Sequence, residues 1–228
     1  MKIVVPLPPG SAPDFLSRII SASFQQQWGQ TVIVENKPGG AQNVGAEQVA
    51  RSAPDGHTLL TAPPPPISLN KFLFPNLKYD QDRFTPVTVI CSVPNVLLVR
   101  KDLPATTLAQ LIELARKPGG LNYASTGAGS TLHLTPDLPD VPSLSETWAD
   151  FVSTTWFAVV APPDTPMEIA EKLSAGIRKA FEAPEAAKRL ADLRATAVLN
   201  TPAEAGRIFK QDSERWGAVI KANNIKGE

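Results

Sequence analysis

Residues 3–36 read IVVPLPPGSAPDFLSRIISASFQQQWGQTVIVEN and contain one complete strand–helix–strand unit. The β-branched run Ile3–Val5 predicts a first strand. From about Asp14, apolar residues recur at helical spacing until Gly29, which predicts the end of a helix. Val32–Val34 then predicts a second strand. A unit of this kind is typical of α/β folds with a mostly parallel sheet.

Short apolar runs continue to alternate with helical patterns along the rest of the chain. We predict strands at 58–61, within 86–100, at 122–124 and at 155–160, and helices at 44–51, 107–117, 165–182 and 201–222. Capping boxes open the last three helices, with Thr107, Thr165 and Thr201 as N-caps and Gln or Glu three residues later. Four consecutive prolines, residues 63–66, predict a stiff polyproline turn after the third strand.

The composition excludes several classes of function. Lys plus Arg and Asp plus Glu each number 22, and no basic stripe is present, so no nucleic-acid partner is expected. The apolar runs are strand-sized and far shorter than the roughly 20 residues of a membrane span. Cys91 is the only cysteine, so it forms no internal disulfide, and its β-branched neighbours predict a buried thiol. The two histidines and this cysteine lie far apart, so we predict neither a metal site nor a cofactor.

Three loops share the features of an anion site. Gly10–Asp14, Gly39–Val44 and Ser125–Ser130 each follow a predicted strand, contain small residues and open a helix. A helix start offers unpaired N–H groups and a partial positive charge, and small residues let an anion come close to them. A Gly/Pro loop is also often a simple turn, but three such loops in one chain favour an anion pocket.

An enzyme and an interaction module are the competing interpretations. Ser125 or Ser130 together with His133 could form part of a serine hydrolase, but no acid that would orient the histidine accompanies them. A structural role for His133 is therefore the simpler interpretation. An interaction module would reveal itself as an obligate oligomer.

Nine segments that follow one another along the chain carry a family resemblance: residues 6–14, 34–46, 54–60, 79–87, 92–97, 121–134, 138–142, 156–157 and 161–166. Together they resemble the substrate-binding receptors of tripartite tricarboxylate transporters, also called Bug receptors. The resemblance implies an α/β, two-lobed periplasmic binding protein of type II-like architecture. It implies residues 1–96 plus 160–228 as the first lobe and residues 97–159 as the second.

The resemblance also implies a function without catalysis. A receptor of this family is a monomer that binds a small organic acid, here a mono-, di- or tricarboxylate, and delivers it to a membrane permease. The residues that the resemblance places at the ligand are Gly10, Ser11, Ala12, Asp14 and Thr61 in the first lobe and Ser125, Thr126, Gly127, Gly129 and Ser130 in the second. An acid at position 14 also suits the helix dipole whether or not it contacts a ligand.

The chain departs from the family pattern in its second lobe. After Thr135 it passes almost directly to Leu138, where family members carry some tens of further residues. We therefore expect a truncated second lobe and weak or absent binding, and a non-binding remnant is the alternative function. A longer native chain that includes the block is the other interpretation, which an intact mass would decide. No apolar leader precedes Ile3, so we predict that this chain carries no signal peptide.

Overall fold

Ile3, Val4 and Val5 are fully buried because the strand that they form lies inside a six-stranded sheet. The computed structural model describes residues 1–95, 99–119 and 154–227. The strands are β1 (Lys2–Val5), β2 (Ile33–Asn36), β3 (Thr58–Ala62), β4 (Thr85–Pro94), β5 (Thr154–Ala161) and β6 (Thr196–Ala197). Their spatial order is β2-β1-β3-β5-β4-β6.

The sheet is mixed, with a parallel half and an antiparallel half. β1 pairs parallel to both β2 and β3. β5 lies antiparallel to β3 and to β4, and β6 lies antiparallel to β4. The α/β class is confirmed, but the prediction of a mostly parallel sheet is wrong beyond β3. Apolar periodicity identifies a strand without encoding its direction, which depends on the end of the sheet at which the chain returns.

Helices cover both faces of the sheet. They are α1 (Ala12–Trp28), α2 (Asn43–Ala50), α3 (Asn70–Leu73), α4 (Leu108–Arg116), α5 (Met167–Phe181), α6 (Pro184–Asp192) and α7 (Pro202–Ala222). Ile3 and Leu59 pack with α1, α5 and α6 on one face, whereas Val4 and Leu60 pack with α2 and α7 on the other. Within the part of the chain that the structure describes, every helix falls short of the length or apolarity that crossing a bilayer demands.

Helix α1 begins and ends where its residue types favour it. Pro13 lies in the first turn, where its missing N–H costs no helical hydrogen bond. Gly29 adopts the left-handed conformation at φ 64°, and its N–H donates to the Gln25 carbonyl at 3.0 Å. The predicted stop at Gly29 is confirmed.

The capping predictions have a mixed outcome. Thr107 and Thr201 form complete capping boxes with Gln110 and Glu204, as predicted. The prediction for Thr165 is wrong, because α5 has Pro166 at its N-cap. The Thr165 hydroxyl instead donates to the Pro162 carbonyl at 2.8 Å, which closes the turn that follows β5. The pattern of residue types is the same in all three segments, and the preceding turn decides which hydrogen bond the threonine makes.

The proline run is helical, so the prediction of a polyproline turn is wrong. Pro64 has φ −51° and ψ −41°, and residues Pro65–Leu69 form one turn of π-helix. A proline ring fixes φ near −65°, which suits the first turn of a helix as well as polyproline II. The Ser68 N–H, which donates to the Pro64 carbonyl at 2.8 Å, decides in favour of the helix.

Candidate functional site

A crevice is expected where the chain leaves β1 and β3, which are adjacent and parallel. After β1 the chain enters α1, whose apolar side chains pack on one face of the sheet. After β3 it enters the π-helical turn, whose Ile67 packs on the opposite face. This divergence makes the carboxyl ends of β1 and β3 a topological switch point, the usual place for a ligand in an open α/β sheet.

The loop that follows β1 leaves a serine hydroxyl free at the start of α1. Ser11 is the N-cap residue, with extended backbone angles, but its hydroxyl does not cap the helix. Ser11 Oγ is buried and has no hydrogen-bond partner among the described residues. An N-cap serine normally accepts a hydrogen bond from the N2 or N3 amide. This hydroxyl therefore keeps its full hydrogen-bonding capacity.

Backbone amides at the start of α1 add further donors. The first helical hydrogen bond runs from the Phe15 N–H to the Ser11 carbonyl at 3.0 Å. The amides of Ala12 and Asp14 precede it and have no helical acceptor, while Pro13 has no N–H at all. Two amides and one hydroxyl at the positive end of a 17-residue helix suit a carboxylate oxygen.

Thr61 places a second free hydroxyl near the carboxyl end of β3. The residue is fully buried, and Thr61 Oγ1 has no hydrogen-bond partner among the described residues. It shares a face of the sheet with Leu59, two positions earlier, and thus faces the side that α1 covers. An unpaired hydroxyl in this position costs stability, which favours a functional reason for keeping it.

Both carboxylate oxygens of Asp14 accept hydrogen bonds from neighbouring residues of the protein. Asp14 Oδ2 accepts from the Gly10 N–H at 2.9 Å and from Arg18 Nε at 3.1 Å, and Oδ1 accepts from Arg18 Nη2 at 3.0 Å. Burial acts to raise the pKa of this carboxyl, but the hydrogen bonds from Arg18 and Gly10 outweigh it and hold the pKa below its ordinary value. Asp14 is therefore ionised and holds the Gly10–Ser11 turn against α1.

The loop that follows β2 contains a strained feature that sequence reasoning missed. Ala41 and Gln42 both have positive φ, at 51° and 75°, although neither is glycine. Asn70 Nδ2 donates to the Ala41 carbonyl at 3.0 Å and to Asn43 Oδ1 at 2.6 Å, which holds the loop in place. Gln42 Oε1 is buried without a partner among the described residues. Consecutive left-handed residues often mark functional loops, but the sequence offers no signal for them here, because both residue types usually avoid this conformation.

Asp212 of α7 anchors the π-helical turn after β3. Ser68 Oγ donates to Asp212 Oδ2 at 2.9 Å. Burial raises the pKa of the Asp212 carboxyl, and the hydrogen bond from Ser68 opposes this only in part. The folded protein therefore favours the protonated acid more than the unfolded chain does.

The raised pKa predicts the pH dependence of the Asp212→Asn variant. Asp212 contributes its full stabilisation at pH values below the pKa that it has in the unfolded chain. This stabilisation is lost as the pH rises through the higher pKa that it has in the folded protein. We therefore expect the variant to gain free energy of unfolding relative to the unchanged chain as the pH rises above the ordinary aspartate pKa of about 4. Urea unfolding across this range measures the difference.

Glu204→Gln is the matched control for Asp212→Asn on the same helix. Hydrogen bonds from the Thr201 amide and hydroxyl lower the pKa of Glu204. Its effect must therefore have the opposite sign, with the variant losing stability relative to the unchanged chain as the pH rises. Parallel pH profiles for the Asp212→Asn variant and the unchanged chain would contradict the prediction.

The other predicted site residues lie outside the described part of the chain. This applies to the second-lobe residues Ser125, Thr126, Gly127, Gly129 and Ser130, to His133 and to the strand predicted at 122–124. Within the described part, Cys91 is fully buried as predicted, and burial raises the pKa of its thiol to about 12, so it is no nucleophile. His57 is exposed.

Two open depressions are lined by residues other than those at the carboxyl ends of β1 and β3. One, of about 490 Å³, is lined by Lys71, Phe74, Pro75, Leu77, Lys78, Tyr79, Asp80 and Gln81. The other, of about 480 Å³, is lined by Arg178, Val198, Leu199, Asn200, Glu204, Arg207, Ile208 and Gln211. Neither includes a predicted site residue, and neither contains an unpartnered buried polar group. The free hydroxyls of Ser11 and Thr61 remain the stronger indication of a ligand.

Comparison with known proteins agrees with the resemblance. The family model for the tripartite tricarboxylate transporter family receptor matches residues 16–138 and 136–225. The UPF0065 protein in the tcbD-tcbE intergenic region of Pseudomonas sp. strain P51 is 29% identical over 283 residues, covering 95% of this chain and 84% of the relative. Protein BugT of Bordetella pertussis is 25% identical over 292 residues, covering 99% and 90%. Both alignments are longer than the 228-residue chain, so the relatives contain residues without a counterpart here.

Solved structures show the same fold. A periplasmic transporter has a TM-score of 0.81 and 26% identity, with 99% of this chain and 97% of that chain covered. MatC from Rhodopseudomonas palustris, solved with bound malate, has a TM-score of 0.79 and 24% identity, with 96% and 98% covered. A further R. palustris protein, solved with adipate, has a TM-score of 0.80 and 24% identity, with 100% and 98% covered. The predicted class of periplasmic binding protein is confirmed.

Proposed function

The chain belongs to the tripartite tricarboxylate transporter receptor family, and from that premise we propose that it is an extracytoplasmic receptor for a small carboxylate. Proteins of this family are solute-binding proteins and not enzymes, which removes the serine hydrolase interpretation. Two structural neighbours were solved with malate and adipate, and both of these ligands are carboxylates. A periplasmic location is proposed because the most similar solved fold described above is that of a periplasmic transporter.

The observation that carries this proposal is that Ser11 and Thr61 have buried, unpartnered hydroxyls. A third such hydroxyl among the described residues, that of Ser17, lies within α1. Ser11 lies at the start of α1, in the loop that follows β1, and Thr61 lies near the carboxyl end of the adjacent parallel strand β3. Together with the free amides at the start of α1, Ser11 and Thr61 offer a carboxylate several donors without a cationic side chain. Ser125, Thr126, Gly127, Gly129 and Ser130 are proposed as the second-lobe contacts.

A discontinuous first lobe is part of the proposal. β4 and β5 pair antiparallel, and Pro94, at the end of β4, lies opposite Thr154, at the start of β5. The residues between them leave and return at one end of the sheet. This arrangement supports a discontinuous first lobe with a shortened second lobe inserted after β4. Because β5 itself is part of the first-lobe sheet, the chain is back in the first lobe by residue 154, earlier than the predicted boundary at residue 160.

A non-binding remnant is the second candidate. The family model matches in two segments that meet at residues 136–138, which is the place where the sequence predicts a missing block. A receptor without part of its second lobe would lose contacts on one side of the ligand. Weak binding, or none, follows from that loss.

Calorimetric titration of the unchanged chain tests the proposal. The panel is acetate, benzoate, malate, adipate and citrate, which spans mono-, di- and tricarboxylates. We expect saturable binding of at least one acid, with a dissociation constant in the millimolar range or tighter, on the order of −4 kcal/mol or stronger. No binding across the panel would support the remnant instead. Light scattering in the same samples tests the proposed monomer, and delivery to a permease needs uptake assays in cells.

A further inference from the structure

Asp14 creates an electrostatic problem for the proposed site. Its side chain is only 5% exposed, and it accepts a hydrogen bond from Gly10, the residue before Ser11. A ligand carboxylate at Ser11 would therefore approach a buried like charge. Two carboxylates at close range repel each other strongly where water is excluded.

Arg18 compensates that charge through two hydrogen bonds. Its Nε and Nη2 atoms contact the two carboxylate oxygens of Asp14 at 3.1 and 3.0 Å, a bidentate geometry. The guanidinium is largely exposed, whereas its partner is buried. Arg18 therefore supplies positive charge from the solvent side of α1 and leaves the interior side to the ligand.

We propose that Arg18 is a positioning residue of the proposed carboxylate site, which neutralises Asp14 so that an anion can bind beside it. The inference rests on the proposed function. It has a consequence for the class of ligand. Both carboxylate oxygens of Asp14 already accept hydrogen bonds, so Asp14 is not available to bind the ammonium group of an amino acid. The first-lobe half of the site therefore binds the carboxylate group of a ligand and offers no contact to an ammonium group.

A set of three variants tests the sign of the charge effect. Arg18→Gln leaves the Asp14 charge uncompensated, and we expect it to weaken binding of the tightest acid in the panel by roughly tenfold or more. Asp14→Asn keeps an acceptor for Gly10 and removes the negative charge, so we expect tighter binding. The double variant removes both charges and should recover most of the affinity that Arg18→Gln loses. Calorimetric titration at constant ionic strength measures all three.

The outcomes separate this inference from a purely structural role. If Arg18 and Asp14 only hold the turn together, both single variants bind more weakly and the double variant recovers nothing, which overturns the inference. Arg18→Lys keeps the charge but not the bidentate geometry, and it should retain more affinity than Arg18→Gln. Normal binding by Arg18→Gln also overturns the inference while the proposed function stands. Absence of binding by the unchanged chain overturns both.

Discussion

Thr61→Val should weaken carboxylate binding while leaving the fold as stable as before or more stable. The hydroxyl has no protein partner among the described residues, so its removal costs the free protein no hydrogen bond. A hydrogen bond from a hydroxyl to a charged group contributes about 1.5–3 kcal/mol, which corresponds to roughly tenfold to a hundredfold in affinity. Calorimetric titration with the tightest acid of the panel and urea unfolding measure the two effects.

Thr58→Val is the matched control for Thr61→Val. The same substitution is made on the same strand, at the opposite end from the crevice. It should leave the affinity unchanged. Equal losses in both variants, or an unchanged affinity in Thr61→Val, would remove Thr61 from the site. A large loss of stability in Thr61→Val would show that its hydroxyl serves the fold.

Phe24→Ala should cost about 3–5 kcal/mol of unfolding free energy, because it leaves a cavity in a packed interior. Phe24 is fully buried on α1, and its ring lies 4.1 Å from that of Trp28, centroid to centroid. Gly176 of α5 packs against both rings so closely that a Cβ there would lie 2.7 Å from Trp28 and 3.0 Å from Phe24. A loss of this size is a large part of the roughly 5–15 kcal/mol that stabilises a typical domain.

Phe15→Ala is the comparison for Phe24→Ala within the same helix. Phe15 is only partly buried, and the Arg189 guanidinium covers its ring at 5.4 Å. Its truncation should cost clearly less than that of Phe24, since water already reaches part of the ring. Urea midpoints with unchanged slopes provide the measurement. Equal losses at the two positions would contradict the packing described for α1 and α5.

Local sequence signals identified most of the elements but not all of their details. The stop of α1 at Gly29 and the capping boxes at Thr107 and Thr201 were predictable, since each depends on residues within one turn of the chain. The capping prediction failed at Thr165, whose hydroxyl is used by the turn at Pro162. The direction of β5 could not be predicted either, because its apolar run is compatible with either orientation.

For the candidate site, too, the sequence predicted which residues are involved but not the hydrogen bonds that they make. The family-like motifs of the sequence predict the first-lobe residues of the candidate site, namely Gly10, Ser11, Ala12, Asp14 and Thr61. Their individual states are not predicted, because hydrogen-bond partners depend on neighbouring elements. Ser11 and Thr61 keep free hydroxyls, whereas Asp14 is engaged by Arg18 and Gly10.

The amino-acid sequence alone determined the α/β class, the family and most of the elements, because periodicity, caps and glycine stops act over a few neighbouring residues. It did not predict α3, α6 or β6. Only the tertiary structure decided that the pairings of β5 with β3, of β5 with β4 and of β6 with β4 are antiparallel. It decided as well that the proline run is helical. It also decided which polar groups beside β1 and β3 keep unsatisfied hydrogen-bonding capacity. Those properties arise from contacts between residues far apart in the chain, such as Ser68 with Asp212, and no local pattern encodes them.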